Sequence, residues 1–245
     1  MKKLSILIIC CFVLVGCKTD QKLTFSYYEI IPDDCNGCAK VTLNLPKATP
    51  ESEVSNHIND AIDGLIIDFL NFSETDNPAN LNEAIALFEK SYAEMQAEYA
   101  SSLDWEFTAD GEITYENPNL ICTEISSYIF TGGAHGYGAV SFLLFDPDTG
   151  NLLDSEAVFS DLEGFKKLAE QKFREQHNIA PDADINSTGF MFEKNIFTLP
   201  ENIGFDDDQV ILIYNQYEIA SYASGQILVE IPLNEVTPFM DAGLL

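Results

Sequence analysis

The chain has 245 residues, of which 40 are acidic and 12 are basic, so its formal net charge at pH 7 is −28. A surface of that sign repels nucleic-acid phosphates and anionic lipid headgroups, and we therefore expect no nucleic-acid partner. It attracts cationic partners, although acidity also serves solubility alone. The length allows one large hydrophobic core or two small ones.

The N-terminus predicts export and lipid attachment. Two lysines precede an apolar run, Leu4 to Val15, that is too short to span a bilayer comfortably and is typical of a signal peptide. The run ends in Leu-Val-Gly-Cys17, which resembles a bacterial lipobox. We predict a signal peptide over residues 1–16, a lipid on Cys17 and a polar tether over 17–22. The lipid would anchor the protein in the bacterial cell envelope, either in the periplasm or at the cell surface. The alternative is an ordinary exported protein with a chance cysteine at this position.

Three cysteines follow the predicted lipid site: Cys35, Cys38 and Cys122. In an oxidising compartment we expect two of them to form one structural disulfide. That bridge is either local or links the N-terminal segment to Cys122, and the sequence does not choose. A single C-x-x-C without a second pair is a weak zinc signal, so we predict neither a metal nor another cofactor.

The first half of the chain has the pattern of an α+β unit over residues 23–118. Alternating or β-rich runs predict strands, and apolar residues that recur at three and four positions predict amphipathic helices. Pro46 is expected to end one strand, and Asp110-Gly111 is typical of a hairpin turn. The predicted elements are strands 23–31 and 40–45, helices 50–69 and 81–100, and strands 105–108 and 112–116.

The second half predicts a further α+β unit over residues 119–245. Asp146 to Gly150 has the composition of a turn, and Ser160 to Glu163 resembles a capping box at the start of a helix. The predicted elements are strands 120–130, 139–145 and 151–155, a helix from the capping box to about His177, strands 209–214 and 227–231, and a helix over 233–240. We therefore predict two small α+β units with largely antiparallel sheets packed against helices. Whether the units share one sheet is left open.

A glycine-dense loop joins two of these strands. Residues 131–138 contain four glycines and His135, one of three histidines in the chain. Successive backbone amides in such a loop can cradle an anion, but no lysine is near and the protein is acidic, which disfavours phosphate. His135 is a candidate catalytic base, yet the nearby Ser126, Ser127 and Thr131 match no nucleophile motif. A structural role, in which His135 bonds the backbone and shapes the loop, is favoured.

Two further stretches stand out in the second half. Residues 214–225 hold three tyrosines between two strands, a pattern that suits a recognition surface and a core-to-surface corner equally well. Asp206-Asp207-Asp208 raises the question of calcium, but the twelve-residue loop pattern is missing and a solvated turn is favoured.

The glycine loop and the tyrosine stretch together resemble a known family. Thr-Gly-Gly-Ala-His-Gly at 131–136, followed by Tyr-x-x-Tyr-Glu-Ile-Ala-x-Tyr-Ala-x-Gly at 214–225, is similar to the RsiV/PdaC-type domain of unknown function. Upstream, Val-Thr-Leu-Asn-Leu-Pro at 41–46 and the helix with Asn-His-Ile-Asn at 56–59 resemble the N-terminal partner domain of that family. The resemblance covers nearly all of the chain beyond the predicted signal peptide.

The resemblance implies an extracellular binding function. One branch of the family is the outer part of an anti-sigma factor that binds lysozyme, and another accompanies a peptidoglycan deacetylase domain. This sequence shows neither a transmembrane segment nor a deacetylase domain, so we expect neither signalling nor deacetylation. We expect a binding lipoprotein, not an enzyme, that recognises a lysozyme-like basic protein or peptidoglycan. The alternatives are a hydrolase of glycan or peptide that uses His135, and a purely structural envelope protein. The predicted contact residues are Gly132, Gly133, His135, Tyr137, Tyr214, Tyr217 and Tyr222.

Overall fold

The computed structural model describes residues 22–32, 37–73, 75–99 and 103–244. These residues form two sheets and five α-helices, and this arrangement confirms the predicted α+β class. No helix in the described ranges is long and apolar enough to cross a membrane. The elements are β1 (Thr24–Ile30), β2 (Lys40–Thr49), α1 (Glu53–Leu70), α2 (Leu81–Glu98), β3 (Glu106–Glu116), β4 (Ile121–Phe130), β5 (Tyr137–Phe145), α3 (Ser155–Val158), α4 (Leu162–Gln176), β6 (Asn202–Phe205), β7 (Gln209–Tyr214), β8 (Ile227–Pro232) and α5 (Leu233–Val236).

The two predicted units share one sheet. The first sheet has the strand order β1-β2-β3-β4-β5, and the second has the order β6-β7-β8. All neighbouring strands are antiparallel except β2 and β3, whose parallel pairing needs the long crossover that α1 and α2 provide. β3 and β4 pair up to Glu116 opposite Ile121, so residues 117–120 are a hairpin turn. The boundary predicted at 118/119 lies in this turn and does not separate two sheets.

The inner ends of β4 and β5 are buried on both faces. Successive side chains of a strand point to opposite faces, so odd and even residues enter different cores. The odd residues Ile121, Ile125 and Phe145 join the core beneath α1 and α2. The even residues Cys122, Phe142 and Leu144 join the core formed with α4 and the second sheet. One hairpin therefore holds the two halves of the molecule together.

Helix α1 follows directly from its sequence. Ser52 caps it, because the Ser52 hydroxyl accepts from the Ser55 amide at 3.1 Å and the Ser55 hydroxyl accepts from the Ser52 amide at 2.8 Å. Its buried stripe recurs at every fourth residue: Ile58, Ile62, Ile66 and Leu70. Each such side chain stabilises the fold by about 1.5–3 kcal/mol relative to exposure. The capping box predicted at the start of α4 is displaced by one residue, since Asp161 and not Ser160 accepts from an amide, that of Gly164.

The hairpin predicted at Asp110-Gly111 is wrong. Both residues lie inside the continuous strand β3. A β-carbon on Gly111 would lie 2.6 Å from Ile125 Cδ1 and 2.7 Å from Pro46 Cδ. Glycine is needed here because neighbouring side chains leave no room for a β-carbon. In the sequence, a glycine at such a crowded strand position cannot be distinguished from a glycine in a turn.

Two other strand limits differ from the prediction. β2 continues past Pro46 to Thr49, because β3 pairs with β2 only as far as Asn44 and the later part of β2 has a free edge on which proline is tolerated. Residues 151–155 form only an isolated bridge, between Leu152 and Phe145, before α3 begins. The short strand β6 was not predicted. The remaining predicted strands and long helices are confirmed to within a few residues.

The two cysteines that the structure describes differ in state: one is free and the other is disulfide-bonded. Cys122 is a free, buried thiol, which excludes the alternative in which the disulfide links the N-terminal segment to Cys122. Its Sγ accepts the Phe205 amide at 3.3 Å, and burial raises the pKa of Cys122 to about 11. Cys38 is disulfide-bonded. Cys35 lies outside the described residues, as do Cys17 and the predicted signal peptide.

Candidate functional site

The glycine loop and the tyrosine stretch meet in space. The rings of His135 and Tyr222 stack with centroids 3.7 Å apart and an interplanar angle of 20°. The Tyr222 hydroxyl donates to the Gly136 carbonyl oxygen at 3.0 Å, and His135 Nδ1 lies 3.1 Å from the same oxygen. Tyr217 adds a third ring 5.6 Å from that of Tyr222. We call His135, Tyr217, Tyr222 and the adjacent Tyr128 the aromatic platform.

The loop glycines shape this platform. Gly132 and Gly133 have φ of +96° and +93°, values that L side chains rarely adopt. Gly136 is buried, and a β-carbon there would collide with the ring of Tyr128 and the carbonyl oxygen of Ile129. The loop backbone can therefore lie directly between Tyr128 and Tyr222. The platform depends on backbone proximity that only glycine permits.

Tyr217 is held in a strained conformation at the surface. Its φ is +72°, and its side chain remains 58% exposed. It belongs to the turn in which the Glu218 amide donates to the Asn215 carbonyl at 3.2 Å. A bulky residue with positive φ costs on the order of 1–3 kcal/mol, and such strain is concentrated at functional sites. Its strain and its exposure together indicate a functional role for Tyr217.

Side-chain amides fix the tyrosine stretch to the edge of the first sheet. Asn215 is buried; its side chain accepts from the Val140 amide and donates to the Val140 carbonyl, both at 2.9 Å. Gln216 accepts from the Gly138 amide at 3.4 Å, and Asn202 accepts from the Phe142 amide at 3.3 Å. These amides occupy the edge of β5 where another strand would otherwise pair. They position the platform relative to the loop.

The charged side chains near the platform in the sequence are carboxylates. Residues 91–165 and 195–245, which include the whole site, contain no lysine or arginine. Burial raises the pKa of Glu218, and nearby Glu201 raises it further, while hydrogen bonds with Asn215 oppose the change. Burial, and then the negative charge of Glu218, raises the pKa of Tyr137. The surface is therefore aromatic and negatively charged.

The predicted contact residues fall into two groups. Gly132, Gly133, His135, Tyr217 and Tyr222 lie together in the loop and platform, and Tyr137 is half-buried at the start of β5. Tyr214 is 2% exposed, and its hydroxyl donates to the Thr198 carbonyl at 2.6 Å. Its predicted role as a surface contact is therefore wrong, because as the last residue of β7 it points into the aromatic core with Phe173 and Phe192.

Tyr128 was not among the predicted site residues. Its side chain is 39% exposed and lies against Gly136. The signal was available in the alternation of β4, where Ser126 and Tyr128 share the face opposite to Ile125. That pattern could not show that the face stays uncovered here, since the same face is buried at Cys122.

The chemistry available at His135 is limited among the described residues. Its contacts are the Gly136 carbonyl and the Tyr222 ring, which give it the loop-shaping role. The hydrogen bonds of the described residues bring no serine, threonine or carboxylate to it. Nor do the described ranges contain a group of three or more histidine, cysteine or acidic side chains arranged to hold a metal ion.

Comparison with known proteins identifies two family segments. Residues 34–137 match the family model described as Deacetylase PdaC, and residues 152–234 match the one described as Protein of unknown function (DUF3298). No curated protein matches the chain in sequence. The two-domain architecture expected from the resemblance is confirmed. The glycine loop, which was predicted to belong with the tyrosine stretch to the unit at 119–245, instead falls almost entirely within the PdaC segment, and only the tyrosine stretch falls within the DUF3298 segment.

Two solved structures share the fold. A DUF3298 family protein from Pseudomonas aeruginosa PAO1 superposes with a TM-score of 0.60 at 20% identity and covers 91% of this chain and 95% of that one. A member of the same family from Bacteroides fragilis superposes with a TM-score of 0.61 at 19% identity and covers 90% of this chain and 94% of that one. The structural similarity extends over both halves of this chain.

Proposed function

Because the chain combines a PdaC segment with a DUF3298 segment, we propose that it is an extracytoplasmic binding lipoprotein. In this proposal Cys17 carries the lipid, and the aromatic platform recognises a cationic protein of the cell envelope, of the lysozyme kind. The observation that carries the proposal is the meeting of two distant loops in an exposed aromatic surface on a protein with a net charge of −28.

The chemistry of the platform supports a cationic protein. Aromatic rings provide large contact area at low entropic cost, and their faces attract lysine and arginine side chains. A net charge of −28 accelerates the encounter with a basic protein and makes the association rate sensitive to salt. The rings provide the anchor, and the charge provides orientation and speed.

Titration calorimetry tests this proposal directly. The Cys17→Ser protein, which lacks the predicted lipid, is titrated with lysozyme at low and at moderate ionic strength. We expect saturable binding that weakens as salt increases. The absence of binding at low salt would refute the proposal.

A variant pair separates the platform from net charge. The double substitution Tyr217→Ala/Tyr222→Ala should weaken binding by about tenfold or more, since buried aromatic anchors dominate interface energies. The matched control is Tyr99→Ala, which removes an exposed tyrosine outside the platform and leaves the charge unchanged. Equal affinities for the two variants would show that any binding is electrostatic and does not involve the platform.

A further inference from the structure

A polar groove lies beside the platform on the uncovered face of the first sheet. Helices α1 and α2 cover one face, and the C-terminal half covers the inner ends of β4 and β5 on the other. Between these lies a groove of about 380 Å³ over β2, β3 and β4. This volume is at the lower end of the range of about 300–1,000 Å³ that is usual for small-molecule sites.

The floor of the groove consists of two cross-strand rows. In the first row Thr42 lies opposite Thr108 and Thr108 opposite Tyr128; in the second, Asn44 lies opposite Asp110 and Asp110 opposite Ser126. Neighbouring strands are about 4.8 Å apart, so the rows present short polar groups as a flat, regularly spaced array. Such an array suits a flat ligand with several hydrogen-bonding groups.

The groups in the array are mostly neutral. The hydroxyls of Thr42 and Thr108 form no hydrogen bond with the described residues. The Asp110 carboxylate accepts from the Asn44 side-chain amide at 3.2 Å, and both residues line the groove. The floor therefore offers more acceptors than donors and favours a ligand with many hydroxyl donors.

Tyr128 provides an apolar wall at the end of the first row. Its partner on β5 is Gly138, which has no side chain to cover the ring. The ring packs against Gly136. A rigid exposed ring beside hydrogen-bonding groups is suited to an amphipathic ring whose C–H face packs on the aromatic and whose edge is polar.

The next row along the strands excludes anions. Glu112 lies opposite Glu124 on one side of the two rows, and on the other side Lys40 lies opposite Glu106, so the flanking residues carry a net negative charge. Asp206 adds to the negative charge near Glu124. A ligand in the groove is therefore neutral or weakly basic, polyhydroxylated and partly apolar on one face. We propose that the groove is a second binding site, for a short neutral oligosaccharide.

Residue-resolved NMR of the Cys17→Ser protein tests this proposal without reference to lysozyme. The probes are N-acetylglucosamine, glucose and xylose tetrasaccharides, each titrated to millimolar concentration. We expect at least one of them to cause saturable amide shifts in residues 108–110 and 126–128. The proposal is overturned if none does so, or if the only saturable shifts lie elsewhere.

Variants identify the groups that bind. Thr108→Val removes one hydroxyl and keeps the β-branched shape, and Tyr128→Ala removes the ring; each should weaken binding about fivefold or more. Tyr27→Ala, at an exposed tyrosine on β1 that lies outside the groove, is the control and should change nothing. Tyr128 packs against the glycine loop, so Tyr128→Ala is open to unfolding. In that case the result for Thr108→Val alone decides the test. Saturation of the same shifts by a lysine-rich peptide, with no response to any saccharide, would also contradict the proposal.

Discussion

The two ends of the β4–β5 hairpin have opposite roles. At the inner end, residues 121–125 and 142–145 contribute to both hydrophobic cores. At the outer end, residues 126–130 and 137–140 support the glycine loop, Tyr128 and the groove, and one face is open to solvent. The same alternating pattern thus stabilises the fold at one end and presents a surface at the other. What differs is only what packs against each face.

The largest effect should come from the inner end. Phe145 is fully buried beneath α1 and α2, so Phe145→Ala removes a large side chain and leaves a cavity. We expect the free energy of unfolding to fall by about 3–5 kcal/mol, measured by urea denaturation. Leu152→Ala, on an exposed residue paired with Phe145, is the control and should be nearly neutral. A loss below 1 kcal/mol for Phe145→Ala would contradict the role given to this end.

The next effect concerns the link between the two ends. Asn215→Ala removes both hydrogen bonds to Val140 and leaves buried backbone groups unpaired. The free energy of unfolding should fall by about 1–3 kcal/mol, and binding at the platform should weaken because the tyrosine stretch is released. The exposed Asn151→Ala serves as the control. An unchanged midpoint in thermal and urea unfolding would show that these amides do not hold the stretch.

The outer end should show the reverse relation between stability and binding. Tyr217→Gly relieves the positive φ, so the free energy of unfolding should remain the same or rise by up to about 1 kcal/mol, while lysozyme binding weakens. Tyr217→Ala removes the ring but keeps a β-carbon, and it should weaken binding with no gain in stability. A clear loss of stability in the glycine variant would mean that Tyr217 has a structural role.

The smallest effect is a pH dependence at Glu218. Its pKa is raised in the folded protein above the ordinary value of 4.5, so the folded state binds more protons than the unfolded state in the window above that value. The free energy of unfolding contributed by Glu218 therefore falls as pH rises from about 4.5 through the raised pKa. At neutral pH the ionised Glu218 side chain destabilises the folded state relative to its protonated form. Glu218→Gln should narrow the difference between unfolding midpoints at about pH 5 and pH 8. An identical difference in both proteins would assign the dependence to other carboxyl groups.

Local patterns were sufficient for most elements and for part of the site. Apolar residues that recur at three and four positions predicted α1, and alternation predicted the first part of β2, because these periods follow from backbone geometry alone. The failures share one cause. Gly111, Pro46 and Tyr214 each have a local signature that points to a turn, a strand end or a surface, and each is instead placed by neighbours distant in the chain.

The sequence by itself determined the element types, the acidic surface and the two motifs that mark the family, since composition, periodicity and motif spacing are local properties. The tertiary structure alone decided that the halves share one sheet, that His135 stacks on Tyr222, and that Tyr128 borders an open groove. These features arise where residues many positions apart pack together, and whether a strand face is covered there depends on the whole chain. The candidate site lies at such a junction, where the cover over the sheet ends.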